Sequence, residues 1–390
     1  MTLRLAYTGR VNILTANMVP GDWSMCQAVW RSPLLPLQGH IDAAPVSSTS
    51  PPIIGSGSRF RVDLLAYLRS YGQAKLGALT AQLKQYNFDA IRAALVASTP
   101  SKQNLRSTDP DKESVWGWPG LKNVLTYIPS DTAKRPTIVI QVSSVASLGG
   151  GDKWLTTTLL DTLATEKGPK THGKSKPKFS LIFPTADEIR RSLNGYSSGG
   201  SIHMKTQSVA QAKQLEYLRP ILCHWAGDQA TKTTTSSSSV AGIREAGRRR
   251  AAPHIKTYIR FSDDSMTKID WAMVTSANLS TQAWGAATNP AGEVRICSYE
   301  IGVVVWPALW DDGVEGSAEM VPVFKKDLPD ALLTDKGDKT GLGVRTRVGV
   351  RMPYDLPLVL YRDDEMPWCA TAPDSEPDWM GRVWPGFGRH

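Results

Sequence analysis

The sequence predicts a mixed α/β protein, and three observations support that class. Short apolar runs typical of strands alternate with stretches of helical spacing along the 390 residues. A motif that closes on Thr-Ala-Asn or Ser-Ala-Asn occurs twice, once near the start and once in the last third. The composition, with 41% hydrophobic and 21% charged residues, is that of a globular chain. Its length is sufficient for two domains.

The predicted strands are runs rich in apolar and β-branched residues, bounded by polar or turn-forming residues. In chain order they cover residues 3–7, 11–15, 90–97, 137–142, 180–183, 254–261, 272–275 and 299–305. Apolar residues at helical spacing predict a helix over residues 59–71. Thr185 and Glu188 form a capping box, which predicts a second helix ending at Leu193.

Composition also predicts the domain organisation. Residues 40–58 are rich in Ser, Pro and Gly, and residues 231–239 read TKTTTSSSS, so both stretches are expected to be loops. The helical region gives way to an apolar strand near residue 90. We therefore predict a first domain over 1–90 and a second over 91–390, with a low-complexity loop near 229–250.

The charge balance favours a polyanionic partner. The formal net charge is +9 and the isoelectric point is about 9.3. Basic residues cluster between Lys167 and Lys178 and at Arg248-Arg249-Arg250. Net charge alone is equally compatible with a solubility role that needs no partner, so the clustering is the more informative observation.

Cysteine usage and hydropathy narrow the setting of the protein. Cys26, Cys223, Cys297 and Cys369 are widely separated and form no metal-ligand spacing, which predicts free thiols in a reducing compartment. The longest apolar run, residues 301–310, is too short to span a bilayer. The first ten residues lack the apolar segment of a secretion signal. We expect a soluble intracellular protein without a membrane partner.

The strongest chemical signal lies between residues 254 and 278. His254 and Lys256 alternate with apolar residues along a predicted strand, so their side chains share a face, roughly 6–7 Å apart. Asn278 ends the following strand. Imidazole, ammonium and carboxamide groups together suit the binding and transfer of a phosphoryl group. A lone His-x-Lys is more often an exposed strand pair, but the repeated Ala-Asn motif and the preceding basic run favour a site.

The other copy of the motif supplies a second asparagine. Trp23 follows Asn17 by six residues, just as Trp284 follows Asn278. An equal spacing between His-x-Lys and asparagine would place the first pair before Met1. We therefore expect that the chain begins beyond one half of its active site.

These residues carry a resemblance to a known family. PHIKTYIRF, VTSANLSTQAWG and ICSYEIGVVVWP resemble the second active-site half of the tyrosyl-DNA phosphodiesterases, in the phospholipase D superfamily. The resemblance extends through LRLAYTGRVNILTANMVPGDW, VSSVASLGGGDKWL, IRRSLNGYSSGGS, LCHW and PYDLPLVLY, and so covers essentially the whole chain. Phe261 stands where general phospholipase D motifs place an Asp, and the Asn-terminated variant marks the tyrosyl-DNA branch.

The resemblance implies a fold and a reaction. The fold is α/β, with two similar phospholipase D-like domains, each a mixed sheet flanked by helices, the first of them incomplete. The reaction needs no cofactor and no metal. One histidine attacks the 3′-phosphate and forms a phosphohistidine, while a second protonates the tyrosyl oxygen and then activates water. The expected partner is a single-stranded or nicked DNA 3′ end carrying a topoisomerase-derived tyrosyl peptide, processed by a monomer during DNA repair in the nucleus.

The resemblance also assigns roles to individual residues. His254 matches the second histidine, the general acid and then base, and Lys256 and Asn278 match its phosphate-binding partners. Asn17 matches the asparagine of the first set. Glu300 matches a carboxylate that orients a catalytic histidine, although a surface acid at a strand start is the plainer interpretation.

Three further residues are expected to contact substrate or support the site. Ser144 and Ser280 match hydroxyls that contact DNA phosphates; taken alone they would be ordinary loop serines. Gln27 matches a supporting glutamine near the first set, with a spacing that differs by one residue. The nucleophilic histidine and its lysine have no match in 1–390, so little or no turnover is expected of this chain.

Alternatives remain open on the residues alone. A catalytically inactive protein that binds DNA ends is the first, and a phospholipase D-type lipid hydrolase or nuclease is a weaker second. His203-Met204-Lys205 is not expected to replace the missing pair, because no Asn lies between Lys205 and Asn278; a polar loop is expected there. His224 is expected to be packed at a helix end, and no motif is assigned to the remaining histidines, His40, His172 and His390.

Overall fold

The computed structural model describes residues 8–38, 52–130, 134–168, 176–225, 242–311, 313–330 and 346–387. The predicted strand over 3–7, residues 40–51 of the first predicted loop, the stretch 231–239, and His40, His172 and His390 lie outside these ranges. The α-helices are α1 (Gly57–Arg69), α2 (Gln73–Leu83), α3 (Gly117–Thr126), α4 (Asp161–Leu163), α5 (Ala186–Arg190), α6 (Val209–Leu218) and α7 (Thr281–Trp284). A π-helical segment, Leu155–Leu160, runs directly into α4.

Seventeen strands are found in the described ranges. They are β1 (Thr8–Gly9), β2 (Asn12–Leu14), β3 (Val29–Arg31), β4 (Leu35–Pro36), β5 (Ala94–Ser98), β6 (Ser101–Asn104), β7 (Thr137–Gln141), β8 (Ser144–Val145), β9 (Lys178–Ile182), β10 (His203–Met204), β11 (Leu222–Cys223), β12 (Thr257–Phe261), β13 (Ile269–Thr275), β14 (Glu293–Ile296), β15 (Glu300–Val305), β16 (Ala318–Val323) and β17 (Thr346–Arg351).

A mixed sheet of nine strands forms the centre of the fold. Its main order is β11-β9-β7-β12-β13-β15-β5, and β16 and β17 extend it beside β13. The three strands at the β11 end are parallel, whereas those from β7 to β5 pair antiparallel. Every residue of β5, β7 and β12 is buried, because both faces of the sheet are covered. The predicted α/β class is confirmed.

Helices cover the sheet and join it to the first part of the chain. Ser56 accepts a hydrogen bond from the backbone of Arg59 and so caps α1. Phe60, Leu64 and Tyr67 recur at helical spacing and are buried against the inner side of β5. The helix predicted over 59–71 is therefore confirmed, two residues earlier than expected at each end.

The remaining predictions of local structure differ in their bounds. Thr185 and Glu188 do form the predicted capping box, but α5 ends at Arg190 because the chain then turns into a short 3₁₀ helix, Gly195–Ser201. His203–Met204, expected to be a loop, forms β10 beside β8. No helix in the described ranges is long and apolar enough to cross a membrane.

Candidate active site

A polar cleft of about 450 Å³ opens between residues 8–38 and the ends of the central strands. It is lined by Thr15, Asn17, Ser143, Ser144, Gly200, Ser201, His203, His254, Lys256, Ser276, Asn278, Tyr299 and Glu300. All five predicted catalytic residues and the predicted substrate contact Ser144 are in this set. The fold therefore gathers residues that are up to 285 positions apart in the sequence, from Thr15 to Glu300.

The segment that carries His254 and Lys256 is held by the first part of the chain. The backbone N–H of Cys26 donates to the carbonyl of Ala252 at 2.9 Å, and that of His254 donates to the carbonyl of Cys26 at 3.1 Å. Strand β12 consequently begins at Thr257, not at His254 as predicted. Alternation nevertheless holds, since His254 and Lys256 enter the cleft while Ile255 lines a separate cavity.

That separate cavity, about 510 Å³, lies on the opposite side of the same strands. Its wall includes Ile255, Ile259, Val274 and Val303, so the lining near these strands is mainly apolar. Arg248 and Arg351 also line it, but His254, Lys256 and Asn278 do not, so the smaller polar cleft is the better candidate for the site of chemistry.

His254 and Lys256 are buried and in direct contact. The Lys256 ammonium donates to the carbonyl of His254 at 2.8 Å and lies 3.3 Å from both ring nitrogens. Burial and the positive charge of Lys256 lower the pKa of His254 to about 4. Burial lowers the pKa of Lys256 to about 8, against the opposing charges of Asp22 and Glu300. The imidazole of the empty site is therefore neutral at pH 7.

Asp22 is a functional residue that the sequence did not reveal. Its side chain is fully buried, and Oδ2 accepts from the backbone N–H of Asn17 at 3.0 Å and lies 3.5 Å from Nδ1 of His254. Burial opposes its ionisation, but the Asn17 N–H and the His254 charge outweigh burial, so the pKa of Asp22 is lowered. A carboxylate thus faces the ring nitrogen of His254. A Pro-Gly-Asp sequence is typical of an exposed turn, so nothing in the sequence indicates that the aspartate is buried.

Gln27 is fixed beside the same ring. Its Oε1 accepts from the Thr15 hydroxyl at 2.8 Å, its Nε2 donates to the Asp22 carbonyl at 2.6 Å, and Nε2 lies 3.2 Å from Nδ1 of His254. The glutamine predicted to support the first set therefore contacts the histidine of the second set. The first part of the chain supplies three groups around His254: Thr15, Asp22 and Gln27.

Asn278 is oriented by the turn that carries the predicted DNA contact Ser144. Its Oδ1 accepts from the backbone N–H groups of Ser143 at 3.1 Å and Ser144 at 2.9 Å. With the oxygen held in this way, the amide nitrogen is the group left to donate to a bound anion. The predicted role of Asn278 as a phosphate ligand has the required geometry.

Glu300 and Ser280 have different positions relative to the cleft. Glu300 lines the cleft, where its Oε2 accepts from the Ser276 hydroxyl at 2.5 Å, and burial raises the pKa of its carboxyl. Its charge acts on Lys256, and its predicted role in orienting a histidine stays a prediction. Ser280 caps α7 by accepting from the Ala283 N–H at 3.0 Å and lies outside the residues that line the cleft.

His203 is a second histidine of the cleft. The backbone N–H of His203 donates to the Ser143 carbonyl at 2.9 Å, and His203 pairs in register with Ser144. Partial desolvation and the nearby charge of Lys205 lower the pKa of His203. Lys205 does not line the cleft. The spacing to an asparagine did not reveal that His203 lines the cleft, because the pairing of β10 with β8 has no local signal in the sequence.

His224 lies elsewhere. Its ring is buried between Glu188, 3.2 Å from Nδ1, and Glu365, 2.9 Å from Nε2, which confirms the expectation of a packed histidine. In the described ranges, no three His, Cys, Asp or Glu side chains converge in a way that could hold a metal ion.

Comparisons with known proteins indicate the family of the chain. The model of the tyrosyl-DNA phosphodiesterase family matches residues 1–362. A probable tyrosyl-DNA phosphodiesterase of Schizosaccharomyces pombe is 30% identical over 439 residues, which cover 96% of this chain and 74% of that protein. Tyrosyl-DNA phosphodiesterase 1 of Arabidopsis thaliana is 27% identical, and the match covers 96% of this chain but only 59% of the relative.

The fold is also that of a solved family member. The crystal structure of yeast tyrosyl-DNA phosphodiesterase superposes with a TM-score of 0.60 at 21% identity, over 93% of this chain and 74% of the yeast chain. At that identity the likeness concerns the fold alone, a phospholipase D-like mixed sheet flanked by helices. From the family match and the relative at 30% identity, the chain belongs to the tyrosyl-DNA phosphodiesterases, a family of phosphoric diester hydrolases.

Proposed function

We propose that this protein processes DNA 3′ ends that carry a phosphotyrosyl adduct, with His254 as the proton-transfer group. The observation that carries the proposal is the convergence of His254, Lys256, Asn278 and Asn17 on one cleft. Lys256 offsets the charge of the phosphate, and the two asparagine amides are donors for its oxygens. The matches to tyrosyl-DNA phosphodiesterases support this choice of substrate over a lipid.

The proposed reaction has two steps. A nucleophilic imidazole bonds to phosphorus while the bond between phosphorus and the tyrosyl oxygen breaks, and His254 gives that oxygen its proton. His254 then removes a proton from water, the resulting hydroxide attacks phosphorus, and the phosphohistidine bond breaks to leave a 3′-phosphate. The bound phosphate anion offsets the charge of Lys256, so it raises the pKa of His254 above its value of about 4 in the empty site.

The first step requires an imidazole besides His254. Asn17 marks the set to which that nucleophile belongs in the family resemblance, and residues 1–390 contain one His-x-Lys followed by Asn at the family's spacing, namely His254, Lys256 and Asn278. We therefore expect the 390-residue chain to bind 3′-phosphorylated ends but to release tyrosine slowly or not at all. Binding of DNA ends without cleavage is the second candidate function, and it rests on the same cleft.

Binding is tested by fluorescence anisotropy with single-stranded oligonucleotides that end in a 3′-phosphate or a 3′-hydroxyl. We expect tighter binding of the phosphorylated end, and a loss of about 10- to 100-fold in Lys256→Ala, since a charge-assisted hydrogen bond contributes about 1.5–3 kcal/mol. Lys205→Ala is the matched control, because this lysine is near in sequence to His203 but does not line the cleft. Equal affinity for both ends would overturn the proposed site.

Turnover is tested with a 3′-phosphotyrosyl oligonucleotide by following release of tyrosine. We expect no multiple turnover from residues 1–390. Enzyme-like turnover would contradict that expectation, and His203→Ala and His254→Ala would then show which ring in the cleft acts as nucleophile. We further propose that the protein acts as a monomer in the nucleus, which sedimentation and imaging of the tagged protein would check.

A further inference from the structure

Tyr299 is the one aromatic residue among those that line the cleft in the described ranges. It immediately precedes Glu300, the first residue of β15, so the central sheet fixes its backbone. The side chain is 38% exposed. An uncharged aromatic surface therefore lies beside the groups proposed to bind phosphate, and the proposed reaction gives it no role.

Two tyrosines at the end of α1 hold this ring in place. The Tyr299 hydroxyl donates to the carbonyl of Ser70 at 3.0 Å. Its ring stacks on Tyr71, with centroids 4.0 Å apart and planes 19° apart, and meets Tyr67 edge-on at 6.3 Å. The Tyr67 and Tyr71 hydroxyls are 2.9 Å apart. A ring held in this way loses little conformational freedom when a ligand packs against it.

The position of Tyr299 relative to His254 indicates which part of a substrate it meets. The His254 ring lies against Asp22, Gln27 and Lys256, whereas Tyr299 lies next to Glu300 at the start of β15 and is held by the residues at the end of α1. A leaving group that takes a proton from His254 must lie beside that ring. The wall formed by Glu300 and Tyr299 is then left for the nucleoside side of the phosphate.

We propose that Tyr299, backed by Tyr71, is a stacking platform for the unpaired nucleobase at the DNA 3′ end. The inference rests on the proposed function, because it presumes a nucleotide bound through its 3′-phosphate. Every nucleobase has a flat π face, and stacking on a protein aromatic contributes about 1–3 kcal/mol without much sequence preference. The platform lets the protein hold any terminal nucleotide while the phosphate is fixed by Lys256 and Asn278.

The test compares two single-stranded oligonucleotides with a 3′-phosphate, one with an intact terminal nucleotide and one whose terminal nucleotide is abasic. The wild-type chain is expected to bind the intact end about 10-fold or more tighter. Tyr299→Phe keeps this preference. Tyr299→Ala and Tyr299→Leu lose the preference for the intact end. Both variants are expected to bind the two oligonucleotides with the affinity that the wild type has for the abasic one. Tyr127→Ala is the matched control, since Tyr127 is 37% exposed and does not line the cleft.

The outcomes separate this inference from the proposed function. A wild type that binds 3′-phosphate better than 3′-hydroxyl, yet does not distinguish intact from abasic ends, overturns the platform and leaves the function standing. Failure to prefer the 3′-phosphate at all overturns the function itself. An abasic oligonucleotide with a 3′-phosphotyrosyl group completes the set. If Tyr299→Ala weakens its binding but not that of the abasic 3′-phosphate, the ring contacts the adduct and not a nucleobase. The wild-type comparison needs no variant, so a poorly folded substitution cannot decide the result.

Discussion

Two carboxylates, the buried Asp22 and the half-buried Glu300, tune the basic groups of the cleft. Asp22 faces His254 from the first part of the chain, and Glu300 acts on Lys256 from β15. Both raise the pKa of Lys256, whereas burial lowers it, and the balance leaves it at about 8. A lysine with such a value changes charge close to physiological pH, so the affinity of the cleft for anions depends on pH.

The affinity for a 3′-phosphorylated oligonucleotide is expected to fall as the pH rises through about 8, because Lys256 loses its positive charge there. The phosphate monoester has its second pKa near 6, so its own charge is constant above about pH 7.5. Anisotropy titrations between pH 7 and 9.5 measure the effect. In Lys256→Arg the guanidinium stays charged, and the profile should be flat; an unchanged slope in that variant would assign the titration to another group.

Asp22→Asn should move the midpoint of this profile to lower pH. The substitution removes a negative charge that raises the pKa values of both Lys256 and His254, while an amide of the same shape keeps the local packing. Affinity near pH 7.5 is therefore expected to decrease. Asp109→Asn, at an ion pair on the surface with Lys112, is the control. A midpoint that stays at the wild-type pH would show that Asp22 acts only on the fold.

Of the individual residues of the cleft, the sequence identified those that occur at a characteristic spacing. His254, Lys256 and Asn278 follow from alternation and from the repeated Ala-Asn motif. Asp22 and His203 could not be identified, since their roles depend on contacts with residues 232 positions later and 59 positions earlier, respectively. Burial of a carboxylate in a Pro-Gly-Asp turn is a tertiary property.

Among the secondary-structure elements, the segment before β12 shows why strand bounds were harder to predict than strand faces. The alternation of HIKTYIRF correctly gave the side on which His254 and Lys256 project. It could not show that residues 252–254 pair with Cys26 instead of a sheet neighbour. The alternation of polar and apolar residues indicates which side of an extended segment is buried. It does not indicate which strand pairs with that segment through backbone hydrogen bonds.

The contact between α5 and the segment after β17 has a pH-sensitive element in His224. Burial by itself would lower the pKa of this ring, but the carboxylates of Glu188 and Glu365 outweigh burial and raise it. Because the pKa of His224 is higher in the folded than in the unfolded state, protonation of the ring stabilises the folded protein. This stabilisation is complete at pH values below the unfolded-state pKa of about 6.5. That stabilisation is lost as the pH rises through the higher folded value.

His224→Gln is therefore expected to be most costly at low pH. Breaking a buried ion pair at one partner costs about 3–5 kcal/mol, because Glu188 and Glu365 would be left without their cation. Urea unfolding at pH 6 and pH 9 should show a difference from wild type that shrinks at the higher pH. Glu365→Gln removes one of the two carboxylates that raise the pKa of His224. The free energy of unfolding of this variant should therefore also depend less on pH than that of the wild type. A difference that is constant with pH would mean that His224 contributes packing alone.

In the whole molecule, the site forms only when the first part of the chain is docked on the central sheet. The α/β class could be predicted from alternating patterns, but the order of the sheet could not, because β15 pairs with β5 across some 200 residues. The predicted boundary near residue 90 falls just before β5, and the core that includes Ile13 and Phe60 also contains Leu95 and Val303. Residues on both sides of that boundary therefore share one core.

Residues 8–38 are expected to be held less firmly than the sheet. Their strands form only two-stranded pairs, β1 with β4 and β2 with β3, and such pairs are marginally stable alone. Their docking relies in part on the backbone bonds of Cys26 and on the contacts of Gln27 and Asp22 with His254. We expect amide exchange in residues 12–31 to be faster than in β12 and β13 when the cleft is empty.

Binding of a 3′-phosphorylated oligonucleotide should slow exchange in both regions together, because Asn17 and Lys256 line the same cleft. At a ligand concentration of 100 times the dissociation constant, linkage gives about 2.7 kcal/mol of added stability. Hydrogen exchange read by mass spectrometry, with and without the oligonucleotide, measures where that stability appears. Lys256→Ala should remove the protection in both regions. Protection confined to residues 254–300 would contradict the shared site, since ligand binding would then leave the docking of the first part unchanged.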